Sequence, residues 1–289
     1  MERAYNVCGI FGYMNYSDRV SEADLVKIYD HFASVCIVRG SHAGGLAYID
    51  EKGLQIQKAG CDLVQANFAY KPDAKNLMTH CRLALQGGQE NNENNHPFHG
   101  QTGDGTTYAL QHNGILANLN EVRKRLNLPS TDITTDSYAA VQILNTMPQM
   151  DTKSLKEMCE QLNGSYTFTI LDENENFYIC RGDVPFYMVH FKELKLYVYM
   201  STRDLFEKAI EGTILHNIYL TSNLDVKDSD AYIVSLGKGD IVKITPDGNL
   251  CRDNFTFDDA SALAHNWYMH GEPVESAKLT AQLKNLNNT

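Results

Sequence analysis

An α+β fold with antiparallel sheets is what this sequence predicts, on three observations. Short β-type runs are grouped before and after a set of helical segments, without the strict β-α-β alternation of a parallel fold. The later runs are separated by polar loops such as Asp172-Glu173-Asn174, which suits antiparallel pairing. Residues 39–47 (RGSHAGGLA) contain glycines, but at neither the Walker nor the dinucleotide-binding spacing, so no phosphate-binding βα unit is indicated.

Taken in order, the apolar run Cys8-Gly9-Ile10-Phe11-Gly12-Tyr13 reads as a first strand. Leu25, Ile28, Phe32 and Val35 recur at helical spacing behind Ser21, a capping residue, and predict a helix over 21–37. Residues 45–49 and 54–58 read as two strands around an Asp-Glu-Lys-Gly turn. Asn118 is placed to cap a helix carrying Leu119, Val122 and Leu126, and helical spacing returns over 136–147 and 153–162. The β-type runs follow at 166–171, 177–181, 186–190 and 196–200. A further strand at 240–244 leads into Pro246-Asp247-Gly248, after which the chain turns polar and the strand signal fades. No repeat, low-complexity tract or flexible linker is visible.

The composition narrows the function. The chain has 289 residues, 43% hydrophobic and 21% charged, enough for one large domain or two small ones. A net charge of -11 argues against nucleic acid, whose phosphates require clustered Lys and Arg. Residues 1–7 carry charges and lack an apolar core, so they do not read as a signal peptide, and no apolar run is long enough for a bilayer; the cytoplasm is expected. Seven cysteines, odd in number and without a Cys-x-x-Cys pair, suit reduced thiols and give no zinc spacing.

Cys8 has an unusual chemical option. Cleavage after Val7 would set its thiol beside its own α-amine, which has a reference pKa of about 7.7–8.0 and can serve as the base. The alternative is a buried cysteine in a closely packed strand. Four more segments bear on the choice: residues 39–47 again, His80-Cys81-Arg82-Leu83-Ala84 leading to Asn94-Asn95-His96-Pro97, His112-Asn113-Gly114-Ile115, and Thr134-Thr135-Asp136-Ser137. In this order they resemble the glutaminase domain of class II glutamine amidotransferases, the N-terminal-nucleophile group that includes domains of glucosamine-6-phosphate synthase, amidophosphoribosyltransferase and asparagine synthetase. The resemblance covers about residues 8–245 and implies a four-layer α/β/β/α sandwich with two stacked antiparallel sheets.

The resemblance also implies the roles. Cys8 attacks the side-chain amide of L-glutamine to give a γ-glutamyl thioester and ammonia, with its freed amine shuttling the proton. Asn113 and Gly114 match the oxyanion donors; by themselves they read as a hairpin turn. Arg82 matches the arginine for the glutamine α-carboxylate, against a plain surface arginine. Asp136 matches the acid for the α-ammonium, against an N-cap for a helix starting at Ser137. Arg39, grouped with these substrate-binding residues, matches an arginine that orders the cysteine loop. No cofactor is implied. His80, His96, His99 and His112 could suggest a metal, but His96 and His99 sit on a Pro-containing loop with no carboxylate at ligand spacing; His96-Pro97 is expected to be a structural turn. Cys8 is expected to have a lowered thiol pKa and to react with a glutamine-like electrophile ahead of the other cysteines.

The chain departs from the family pattern at Leu83 and Leu85, where Trp or Tyr and Thr are usual, and at His42-Ala43, where Asp-Ser is usual. Leu85 offers no hydroxyl to a substrate carboxylate; Arg82-Leu83-Ala84-Leu85 is closer to the asparagine synthetase pattern. The expected division is a propeptide at 1–7, a glutaminase domain at 8–245 and a tail at 246–289, with Trp267 and a helix over 274–286, packed on the domain. The leading expectation is a glutaminase subunit feeding ammonia to a separate synthase chain. A stand-alone amidohydrolase and a catalytically silent glutamine-sensing subunit are the alternatives, and an oligomer is compatible with all three.

Overall fold

The computed structural model describes residues 8–66, 68, 74–84 and 88–259; the expected propeptide, Leu85 and the 274–286 helix with Trp267 lie outside them. Two antiparallel sheets stack face to face, with helices on both outer sides. The seven-stranded sheet contains β1 (Gly9–Asn15), β2 (Ala43–Asp50), β3 (Gly53–Ala59), β4 (Asn76–Arg82), β9 (Tyr187–Phe191), β10 (Leu196–Met200) and β11 (Ala231–Ile233), in the order β11-β9-β10-β1-β4-β2-β3. The six-stranded sheet contains β5 (Phe98–Gln101), β6 (Thr107–Leu116), β7 (Gly164–Asp172), β8 (Phe177–Arg181), β12 (Asp240–Ile244) and β13 (Leu250–Asn254), in the order β13-β12-β8-β7-β6-β5. The four-layer α+β expectation therefore holds.

Alternation within each strand builds the layers. In β1, Phe11 and Tyr13 face one outer core, while Ile10 and Met14 face the core between the sheets. Helix α1 (Glu22–Cys36) buries Leu25, Ile28, Phe32 and Cys36 on the seven-stranded sheet and packs beside α6 (Arg203–Ile210). Phe32 meets Phe206 edge to face at 5.6 Å; burial of each such ring stabilises the fold by roughly 1.5–3 kcal/mol. Ser21 caps α1 as expected, its hydroxyl accepting from the Asp24 N–H. On the other side α4 (Tyr138–Leu144) and α5 (Thr152–Gln161) cover the six-stranded sheet.

Three local expectations are corrected. Asn118 precedes α3 (Leu119–Arg125) but makes no side-chain cap; its amide donates to the Gln161 carbonyl at 2.9 Å and accepts from the Asn163 N–H at 2.9 Å. The strand signal does not end at Gly248, because the polar segment β13 pairs along all of β12. Asn113-Gly114 is no hairpin turn: both residues lie within β6, paired with Thr167 and Tyr166 of β7. No helix among the described residues is long and apolar enough to cross a membrane.

Candidate active site

Strand register assembles the site. Gly9 of β1 pairs with Cys81 of β4, which carries Cys8 alongside the segment that follows Arg82. The Leu83 N–H points at the Cys8 sulfur at 3.4 Å, and that sulfur lies 3.7 Å from the Leu83 carbonyl oxygen. Arg39 donates from Nε to the Cys8 carbonyl at 3.1 Å, so it holds the cysteine segment and is not part of the cavity wall. The expected low thiol pKa is overturned. Although Cys8 is only half-buried as a residue, loss of solvent pushes its thiol up to about 11, against the opposing pull of the Leu83 N–H and the Arg82 charge.

A cavity open to solvent is lined by Cys8, Arg82, Leu83, His96, His112, Gly114, Ile115, Thr135, Asp136 and Ser137. Arg82 is buried and no surface arginine; its Nη1 donates to Asn95 Oδ1 at 2.6 Å. Asp136 is also buried, and its Oδ2 accepts from the Leu116 N–H at 2.6 Å. It is not the helix N-cap, a position taken by Ser137 before α4. A cation and an anion thus share one wall with a thiol.

Gly114 has φ +140°, and a Cβ there would lie 2.0 Å from the Ser165 carbonyl oxygen, so both conformation and space require glycine. Its neighbour Asn113 is fully buried, with both amide atoms unpartnered. Asn113 is not itself part of the cavity wall, although His112 and Gly114 on either side of it are.

The histidines form a neutral part of the site. His80 donates from Nε2 to the His112 carbonyl at 3.1 Å and stacks on His96 at 4.2 Å. His112 Nδ1 pairs with the Ser137 hydroxyl at 2.8 Å. Burial lowers His80 to about 3 and His112 to about 4, and holds His96 well below its usual value. His99 instead is exposed on β5. Among the described residues no group of three or more His, Cys, Asp or Glu is placed to hold a metal ion. His96-Pro97 is a cis peptide, and Gly45 of β2 lets it approach: a Cβ on Gly45 would lie 2.0 Å from the His96 carbonyl oxygen. His96 is thus a wall residue as well as part of a turn.

The structure also explains the His42-Ala43 departure. His42 donates its N–H to the Arg82 carbonyl at 3.1 Å and accepts from the Ala84 N–H at its Nδ1, at 2.9 Å, fixing the chain on both sides of Leu83. Leu83 faces Cys8 with backbone groups, for which a leucine suffices. Thr135 was quoted within its motif without a role. Its hydroxyl is buried and unpartnered, and the residue lines the cavity; its place beside Asp136 was the available signal.

Comparison with known proteins agrees with this geometry. A glutamine amidotransferase domain model matches residues 80–206. The glutamine–fructose-6-phosphate aminotransferase (isomerizing) of Fusobacterium nucleatum is 27% identical over 191 residues, 62% of this chain and 29% of that protein. The amidophosphoribosyltransferase of Methanocaldococcus jannaschii is 26% identical over 236 residues, 78% of this chain and 48% of its own. The 7-cyano-7-deazaguanine synthase 2 of Sulfurisphaera tokodaii is 31% identical over 122 residues, 41% of this chain and 25% of its own. The chain therefore spans between about a quarter and a half of these relatives. In fold, it matches the glutamine phosphoribosylpyrophosphate amidotransferase of B. subtilis at TM-score 0.64 and 17% identity, over 87% of this chain and 50% of that one. A glutamine aminotransferase class-II domain protein from Silicibacter pomeroyi aligns at TM-score 0.51 and 13% identity, over 86% of this chain and 100% of that one. Sequence and fold converge: residues 80–206 match a glutamine amidotransferase domain, and the chain is similar in sequence to glutamine–fructose-6-phosphate aminotransferase and amidophosphoribosyltransferase and in fold to the N-terminal-nucleophile glutamine amidotransferases.

Proposed function

We propose that this chain hydrolyses the side-chain amide of L-glutamine through a Cys8 thioester and supplies the ammonia to a synthase. The observation that carries the reading is the meeting of Cys8, buried Arg82 and buried Asp136 on one cavity. A free amino acid offers a carboxylate and an ammonium beside its side chain, and Arg82 and Asp136 match them in charge. A plain amide would leave both charges unmet, which is the basis of selectivity.

The chemistry uses the chain's own groups. The Cys8 sulfur attacks the amide carbon; a C–S bond forms as the carbonyl electrons move onto oxygen. The C–N bond then breaks, and the nitrogen leaves as ammonia with the thiol proton. Water adds to the thioester, the C–S bond breaks, and glutamate departs as the proton returns to sulfur. Asn113 Nδ2, buried without a partner, and the Gly114 N–H are the proposed oxyanion donors.

A thiol at about 11 is protonated at neutral pH, so attack needs a base at that moment. The proposed base is the Cys8 α-amine, with a reference pKa of about 7.7–8.0, and this requires scission of Val7-Cys8 because an internal nitrogen is an amide. Intact mass of an active preparation tests it: a protein that hydrolyses glutamine while still starting at Met1 overturns the terminal-amine mechanism. Cys8→Ala is expected to abolish ammonia release, and persistence of hydrolysis would overturn the function.

The acceptor is proposed to be a synthase on a separate chain. The seven free thiols suit a reducing compartment, and the cytoplasm is the proposed location. Ammonia release is expected to rise when a co-purified synthase and its acceptor are added. Full activity unchanged by any partner would favour the stand-alone amidohydrolase, and glutamine binding without turnover would favour a sensing subunit.

A further inference from the structure

We propose that Asn95 is a positioning residue that sets the Arg82 guanidinium for the substrate carboxylate, and that segment 91–95 ties this grip to the Asp136 segment. The inference rests on the reading of Arg82 and Asp136 as the contacts to the α-carboxylate and α-ammonium.

Asn95 has no exposed surface, and its Oδ1 accepts from Arg82 Nη1 at 2.6 Å. The orientation of its amide is fully specified. Nδ2 donates to the Gln89 carbonyl at 2.8 Å and to Asn92 Oδ1 at 3.0 Å, so a flipped amide would set donors against the guanidinium and an oxygen against two acceptors. The backbone is fixed as well, because Asn95 N–H donates to the Asn92 carbonyl at 3.1 Å across a 3-10 turn at Asn92–Asn94.

The preceding residue reaches the other half of the grip. Asn94 Oδ1 accepts from the Thr134 N–H at 2.9 Å and from the Thr134 hydroxyl at 3.3 Å, two residues before Asp136. His96, the next residue on the other side, is cavity wall. One short segment thus braces the arginine, the aspartate segment and the wall between them. A long arginine side chain loses much rotamer freedom when it grips a ligand, and an acceptor that fixes it beforehand lowers that cost. An amide suits this role because a carboxylate in its place would compete with the substrate carboxylate for the guanidinium.

The test is ammonia release by the full chain from L-glutamine and from L-glutamine α-amide, which lacks the carboxylate. Asn95→Ala is expected to raise KM for glutamine about tenfold, with kcat within about twofold, while KM for the α-amide barely moves. Asn92→Ala, at an exposed residue that touches Asn95 and leaves the fold intact, is expected to raise KM for glutamine about two- to threefold. Arg82→Lys provides the benchmark. If it changes the preference for glutamine over the α-amide while Asn95→Ala and Asn92→Ala do not, the positioning inference alone fails. If it leaves that preference unchanged, the reading of Arg82 fails. Equal losses on both substrates, or lower kcat at constant KM, would reduce Asn95 to a structural role and overturn the inference. Wild-type protein that hydrolyses neither substrate overturns the function and the inference together.

Discussion

Burial holds the Cys8 thiol at about 11, and that makes it a slow nucleophile toward anything that does not fit the cavity. Relative to an ordinary cysteine near 8.5, it carries about three-hundredfold less thiolate at neutral pH. Its thiolate is intrinsically more nucleophilic, and a Brønsted slope of about 0.4–0.5 returns a factor of roughly ten to twenty, leaving alkylation about fifteen- to thirtyfold slower. Cys251 in the same chain, exposed to solvent, provides an accessible thiol for comparison. The assay is iodoacetamide labelling of the unprocessed chain between pH 6 and 10, read peptide by peptide by mass spectrometry. Cys8 is expected to lag Cys251 at pH 7 and to keep gaining rate up to pH 10, whereas a diazoketone analogue of glutamine is expected to modify Cys8 first in the processed protein. Iodoacetamide reaction at Cys8 ahead of Cys251 at pH 7, or a rate that levels off below pH 9, would refute the argument from burial.

Other expectations follow from the same site. Arg82→Ala and Asp136→Ala are expected mainly to raise KM for glutamine, whereas Asn113→Ala lowers kcat by about a hundred- to thousandfold; steady-state kinetics separates them, and the reverse pattern means the roles are exchanged. Thr135→Val removes a buried, unpartnered hydroxyl from the cavity, and is expected to raise KM about two- to tenfold while Thr135→Ser stays near wild type; equal values for both variants would rule the hydroxyl out. His80 and His112 resist protonation in the fold down to about 3 and about 4, while the unfolded chain takes up protons near 6.5. Their stabilisation is therefore present above pH 6.5 and is lost as pH falls, by about 2 kcal/mol per histidine between pH 7.5 and 5. Urea melts at the two pH values check this, and unchanged midpoints would contradict it.

What the sequence disclosed was local or arranged in order. Ser21 was readable because its hydroxyl reaches only to Asp24, within the same turn. Asn118 has the same appearance, yet its amide is taken by residues 161–163, a tertiary partner that no window of sequence contains. β4 was passed over as a strand because Thr79, His80 and Arg82 make it look polar, although all three are buried. β13 is polar and half-exposed, and only its pairing with β12 makes it a strand. The thiol pKa was misjudged because solvent exclusion at Cys8 depends on the assembled layers. Asn95 was quoted within its motif without a role, since its partner lies thirteen positions upstream.

The same contrast bears on selectivity. Burying Arg82 and Asp136 together in a wall of neutral histidines costs desolvation, and a buried ion held by few hydrogen bonds is destabilising unless its partners are complete. Asn95 and the Leu116 N–H supply fixed partners for the two charges, each contact at 2.6 Å. On the proposed reading a zwitterionic ligand brings a countercharge to each at once, at the separation set by its own α-carbon. A ligand lacking either charge must dehydrate one ion without replacement, a penalty of roughly 1–3 kcal/mol or more, or about five- to 150-fold in affinity. On the proposed reading the wall discriminates by leaving a ligand's missing charge uncompensated, and a neutral His112 serves this better than a charged one, because a protonated His112 would supply a cation of its own to Asp136.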